Sequence, residues 1–184
     1  MPKVSEAHLQ SRRDQILAGA RRAFARYGYE GATVARLEEE TGLSRGAIFN
    51  YYRDKWALFL ALAAEDQHVF IDLLVDDGLD AVIRKIADEN PDWLAVYFEL
   101  ARRMRTDPEL MREMRERAPE ESRRADEFLA GMRERGDMRG DVELTTLAAF
   151  INIVTNGVAL ASSLGLSVDV DELLKLVHRG IDPQ

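Results

Sequence analysis

Between Ser44 and Lys55 the chain reads SRGAIFNYYRDK, a short stretch that carries the side-chain types used to read a DNA duplex. Arg45 can donate two hydrogen bonds to guanine O6 and N7, and Asn50 can pair with adenine N6 and N7. Gly46 lets a backbone come close to the bases. On a helix these three fall on one face, with Ala47 and Phe49 at its borders. Thr33 and Ser44 stand at helix N-termini, where unpaired N–H groups and the helix dipole favour an anion, and Tyr51 and Lys55 can reach backbone phosphates. Contacts of that second kind position a protein on DNA without specifying sequence. A helical hairpin with a merely solvated polar face would show the same spacing.

Two helical patterns must hold these residues in place. Thr33 caps VARLEEET, Gly42 ends it, and Ser44 caps RGAIFNYY, which together have the lengths of a helix-turn-helix whose second helix enters the major groove. Leu37, Leu43 and Ile48 can lock the pair, and Tyr52 is expected in the core. Upstream, Ile16, Ala20, Phe24 and Tyr27 recur at helical spacing, with Gly28 as a stop. Asp54 caps a longer helix with an apolar stripe from Trp56 to Leu73. Pro91 and Pro108 each open a helix, and Pro119 is expected to kink or divide a long charged one. No run has the period of a strand. The reading is all-α with about nine helices: a three-helix DNA-binding domain over residues 1–55 and a helical domain over 56–184.

Charge is distributed to match. The chain carries 25 Lys and Arg against 33 Asp and Glu, yet residues 1–55 hold ten against seven, net +3, which leaves 15 against 26, net −11, for the rest. A basic head on an acidic body suits a DNA-facing module borne by a domain that does not touch DNA. With no cysteine, disulfides and thiolate metal sites are excluded, and His8, His68 and His178 form no i, i+4 pair. No metal or cofactor is expected. The N-terminus lacks the apolar run of a signal peptide, so a cytoplasmic location is expected. From Leu144 to Val168 no residue is charged, a length that could span a bilayer, but its Thr, Asn and Ser residues point to a helix buried in protein and to no membrane.

Ile16 to Ala63, ILAGARRAFARYGYEGATVARLEEETGLSRGAIFNYYRDKWALFLALA, resembles the N-terminal signature of the TetR family of transcriptional regulators. The resemblance implies DNA contacts from Thr33 and Arg36 near the second helix, from Arg45, Gly46, Ala47, Asn50 and Tyr51 on the third, and from Lys55. It also implies a homodimer whose last two helices build a four-helix bundle across a two-fold axis, and a small-molecule pocket inside the C-terminal domain. SRGAIF, DKWALFLALAAED and RTDPEL are similar to the branch that includes aconitase repressors, whose effector is a citrate-type anion, although NYY stands where that branch has a His-His-Phe run.

The pocket expected from this resemblance would be walled by Trp93, Tyr97 and Arg102 on one helix and by Phe128 on another. Trp93 and Tyr97 share a face that suits an aromatic ligand as well as a citrate-type acid. Asn152 and Asn156, an i, i+4 amide pair, either hydrogen-bond across the dimer axis or face the cavity. Function is read as a repressor that binds palindromic double-stranded operator DNA and is released by an effector. The alternatives are a constitutive regulator, an adaptor with a vestigial helix-turn-helix, or a small helical enzyme using Glu65 and Asp66 or Asp76 and Asp77. Adjacent carboxylates lie about 100° apart around a helix and do not converge, so no catalytic residue is assigned.

Overall fold

The computed structural model describes residues 6–183, apart from the side chain of Arg115. Among the described residues there are ten helices and no strand: α1 Glu6–Gly31, α2 Val34–Thr41, α3 Arg45–Phe49, α4 Lys55–Asp77, α5 Leu79–Ala87, α6 Pro91–Thr106, α7 Pro108–Glu116, α8 Pro119–Arg135, α9 Leu144–Ser163 and α10 Val170–Ile181. Pro91, Pro108 and Pro119 each sit in a first helical turn, where the missing N–H has no helical partner to lose. Pro119 divides the charged segment into α7 and α8 rather than kinking one helix.

Two apolar cores form. The first packs Ile16, Ala20 and Phe24 of α1 against Leu37 and Ile48 of the helix-turn-helix, then reaches past residue 55 to Trp56, Phe59 and Leu62 of α4, Trp93, Val96 and Leu100 of α6, and Leu110 of α7. The second joins the end of α4 to α5, α8, α9 and α10 through Leu74, Ile83, Leu129, Leu147 and Val177. Helices α1 to α3 therefore share a core with α6 instead of hanging from a linker.

The junction with α6 is specific. Gly28 adopts φ 69°, a left-handed conformation that breaks α1 and leaves one last turn, Tyr29 to Gly31, with unpaired N–H groups at its start. Glu99 of α6 accepts from the N–H of Tyr29 at 2.8 Å and of Glu30 at 3.2 Å, capping that turn from another element.

The uncharged helix departs from expectation. In the single chain only Leu147 and Val158 of α9 are buried, while Ile153 is 71% exposed and Leu160, Leu164, Leu166 and Leu176 also face outward. Its apolar character is thus not absorbed by the chain's own core, because α5, α6 and α8 cover only one side of it.

Candidate nucleic-acid interface

The helix-turn-helix is built by caps. The Thr33 hydroxyl accepts from Arg36 N–H at 3.5 Å, the Ser44 hydroxyl from Ala47 N–H at 3.3 Å, and the Asp54 carboxylate from Ala57 N–H at 2.8 Å. Gly42 closes α2 at φ 68°, and the buried Thr41 hydroxyl donates to Leu37 O at 2.7 Å and accepts from Leu43 N–H at 3.2 Å, which fixes the turn. Ile48 is fully buried against α1, so the orientation of α3 is set.

That leaves Arg45, Gly46 and Asn50 exposed, with Ala47 and Tyr51 half-buried beside them. Among the described residues no hydrogen bond or ion pair engages the Arg45 guanidinium. A Cβ added at Gly46 would meet nothing within 4 Å, so packing inside the chain gives no reason for a glycine there. The first N–H of α3, that of Arg45, is already taken by Glu38 Oε1 at 2.6 Å. An anion at the start of α3 has to share that position with a carboxylate.

Two of the expected cations have internal partners. Arg36 donates to Gly31 O at 2.8 Å and lies 4.2 Å over the Tyr27 ring. Lys55 donates to Tyr29 O at 2.6 Å, lies 4.4 Å over the Tyr29 ring and sits 3.8 Å from the Glu30 carboxylate. Burial holds its ammonium below the usual lysine range, against the pull of Glu30. Both side chains thus close the C-terminal end of α1, where carbonyls lack helical donors.

A cavity of about 750 Å³ lies in the other half of the chain, walled by α4, α5, α7, α8 and α9 with Tyr97 from α6. Of the residues expected at a ligand, Tyr97, Phe128, Asn152 and Asn156 line it; Trp93 and Arg102 do not. Trp93 faces α1 instead, 1% exposed, with its ring 6.4 Å from Phe24 and 6.1 Å from Phe59. Arg102 is exposed on the outside of α6. The Asn152 amide donates to Ala148 O at 3.1 Å and that of Asn156 to Asn152 O at 2.7 Å, leaving their carbonyl oxygens as the groups offered to a partner.

Sequence reasoning weighed Asp66 only as a carboxylate of an enzyme and did not single out Met111, Met114 or Arg117; the cavity brings them together although α4 and α7 lie far apart in the chain. Asp66 is the hub. It accepts from Trp93 Nε1 at 2.8 Å and Tyr97 Oη at 2.9 Å, and it pairs with Arg21 of α1, whose guanidinium lies 4.5 Å over Trp93. Burial and the Asp66 carboxylate push the Tyr97 phenol well above its ordinary range, so it stays a donor. One wall of the cavity is thereby tied to α1 through Arg21.

Residues 16–62 match the family of bacterial regulatory proteins called tetR. The chain is 40% identical over 188 residues to the HTH-type transcriptional repressor AcnR of Corynebacterium diphtheriae, covering 98% of this chain and 97% of that one. To the HTH-type transcriptional repressor Rv1474c of Mycobacterium tuberculosis it is 45% identical over 159 residues, 85% of each chain. Among solved structures, Salmonella enterica GusR superposes with a TM-score of 0.73 at 18% identity, covering 96% of this chain and 97% of that one. Identity at this level over nearly the whole length, on an all-α fold carrying a capped helix-turn-helix, is decisive: the chain belongs to the TetR family of bacterial transcriptional regulators.

Proposed function

We propose that the protein is a dimeric repressor that reads a palindromic operator through α3 and lets go of it when a small molecule fills the cavity between α4 and α9. The observation that carries the DNA half is the outward face of α3, where Arg45, Gly46 and Asn50 are exposed while Ile48 anchors the helix from behind. Thr33, Ser44, Tyr51 and Lys55 are assigned to the phosphate backbone, and Arg36 and Ala47 border the bases. Selection of sites from a random duplex pool tests the reading directly; recovery of a palindrome is the expected result, and recovery of no preferred sequence would remove it. On the selected site, Arg45→Ala and Asn50→Ala should each lose about 1–3 kcal/mol of affinity with little change on random DNA. A base reader is ruled out at either position if specific and random binding fall together.

The partner surface is the open side of α9 and α10. Ile153, Leu160, Leu164, Leu166 and Leu176 are large apolar side chains left exposed on α9, the turn after it and α10, and a second copy related by a two-fold axis would cover them. Ile153→Asp places a carboxylate in that surface twice per dimer and should weaken association by about 100-fold, roughly 3 kcal/mol, without unfolding the chain. Sedimentation equilibrium measures it; a wild-type monomer at micromolar concentration, or an Ile153→Asp dimer as tight as wild type, contradicts the assignment. Val158 is not a suitable probe, since it is buried in its own chain.

For the effector, the walls favour a compact ligand with an apolar or aromatic body. Phe70, Tyr97, Phe128 and the four methionines 111, 114, 132 and 138 supply the apolar surface, and Asp66, Asp126 and Arg117 are the ionisable groups. A citrate-type acid would find Arg117 as its one guanidinium there. Release then follows from population shift, the ligand favouring a dimer whose two α3 helices no longer match successive major grooves about 34 Å apart.

A further inference from the structure

Beside the end of α3 lies an open hollow of about 380 Å³ lined by Arg13, Tyr51, Tyr52, Arg53, Ala57 and Arg117. Three arginines line it from three separate places: α1, the α3–α4 turn and the C-cap of α7. All three are exposed residues, and together they set positive charge around one hollow in a chain of net charge −8, where an anion would be favoured. Arg53 is partly neutralised, 2.8 Å from Asp54 and 3.9 Å from Glu113. Arg13 and Arg117 are not, since no hydrogen bond or ion pair engages either guanidinium among the described residues. Asp14 and Glu65 lie near Tyr52, and their fields are opposed there by those of Arg13 and Arg117.

We propose that this hollow takes a phosphate of the DNA backbone, held by Arg13 and Arg117 beside the hydroxyl-bearing rings of Tyr51 and Tyr52. The inference rests on the DNA-binding reading above and adds to it a phosphate partner supplied by the effector domain itself. Tyr51, which lines the hollow, directly follows Asn50 in the chain. Planar guanidiniums with several donors match a phosphate's oxygens. Arg117 also belongs to the wall of the 750 Å³ cavity, so one side chain borders both compartments. A ligand that draws Arg117 inward takes a cation away from the DNA face, which gives effector binding a direct route to weaker DNA affinity beside any movement of helices.

Salt dependence of binding to a short random-sequence duplex tests this, because the slope of log K against log salt falls by about 0.9 for every phosphate that is no longer neutralised. Arg13→Gln and Arg117→Gln should each reduce the slope by that amount per subunit bound, Arg117→Lys should retain the wild-type slope, and Arg135→Gln, a charge removed from outside the hollow, should leave it unchanged. Circular dichroism melts matching wild type establish that the variants are folded. Wild-type slopes for folded Arg13→Gln and Arg117→Gln overturn the proposal. It is equally overturned, in favour of a free phosphorylated ligand, if inorganic phosphate at constant ionic strength raises the melting temperature of wild type but not of Arg117→Gln while the DNA slopes stay equal. Absence of any duplex binding by wild type would instead sink the DNA-binding reading, and this inference with it.

Discussion

Asp66→Ala should destabilise the protein by about 3 kcal/mol and separate the cavity from the DNA-reading domain. Its carboxylate is largely buried and satisfies three donors at once, Arg21, Trp93 Nε1 and Tyr97 Oη. Removing a buried ion-pair partner commonly costs about 3–5 kcal/mol, mainly because the other charge is stranded. Arg21 retains 32% exposure and can turn to water, so its share is smaller. Two neutral donors remain, and each buried and unpaired group costs about 1–3 kcal/mol. The two considerations meet near 3 kcal/mol, roughly 6–12 °C in melting temperature for a chain of this length. Asp66→Asn keeps an acceptor for Trp93 or Tyr97 and should lose about half as much. Fluorescence gives a second readout: in a Trp56→Phe background the emission of Trp93 should respond to cavity ligands in wild type and cease to respond in Asp66→Ala. A folded Asp66→Ala protein with an unchanged melt would show that the three donors find other partners.

The helix-turn-helix was legible in the sequence because its determinants are local. Thr33, Ser44 and Asp54 each accept from an N–H three residues ahead, and Gly42 stands one residue past a helix end, so cap and helix lie inside a single short window. Most other helix boundaries follow from local signals too, but about nine helices were expected and ten form among the described residues, because Pro119 at a first turn is a boundary and not a kink. What one helix touches was not legible. Trp93 and Tyr97 share a face by spacing, yet that face looks at Asp66 from α4 and Arg21 from α1, and only Tyr97 reaches the cavity. Glu99, two residues past Tyr97, caps a break in α1 some seventy residues earlier, a role with no sequence signature because its partner is a pair of backbone N–H groups. The uncharged stretch in α9 carried an ambiguity of another kind. Composition measures how much apolar surface a helix has, and says nothing of whether its own chain, a second copy or a membrane covers it.

Lys55 illustrates how position and chemistry can diverge. Its place at the start of α4 suits a phosphate, and the family resemblance assigns it one, but its ammonium is held between the Tyr29 carbonyl and ring. A phosphate would have to compete with a short hydrogen bond that also secures the turn capped by Glu99. The same turn, directly before the loop that carries Thr33, is thus gripped both from α4 and from α6.

Gly19→Ala should be the most damaging small substitution in the DNA-reading domain, although on helix propensity alone it would be favourable by nearly 1 kcal/mol. Sterics decide the sign. A Cβ at residue 19 would lie 2.6 Å from Thr41 Cα, 2.6 Å from Thr41 Cγ2 and 2.8 Å from Glu40 O, two of them backbone atoms that cannot rotate away. The end of α2 must therefore move off α1. That shift breaks the bond from Gln15 to Thr41 O, at 3.0 Å, and disturbs the pairing of Arg22 and Arg26 with Glu40. Overpacking of this kind costs about 1–3 kcal/mol and more where backbone is displaced, enough to outweigh the propensity gain. Because Thr41 also fixes the turn into α3, the loss should appear in DNA affinity beyond what the melting temperature explains. Gly131→Ala is the matched control: its added Cβ would meet only the mobile guanidinium of Arg135, at 3.1 Å, and the propensity term should win, raising the melt. Thermal melts and duplex binding of both variants check the pair; a Gly19→Ala protein as stable as wild type would mean that α1 and α2 are not seated as closely as 2.6 Å requires.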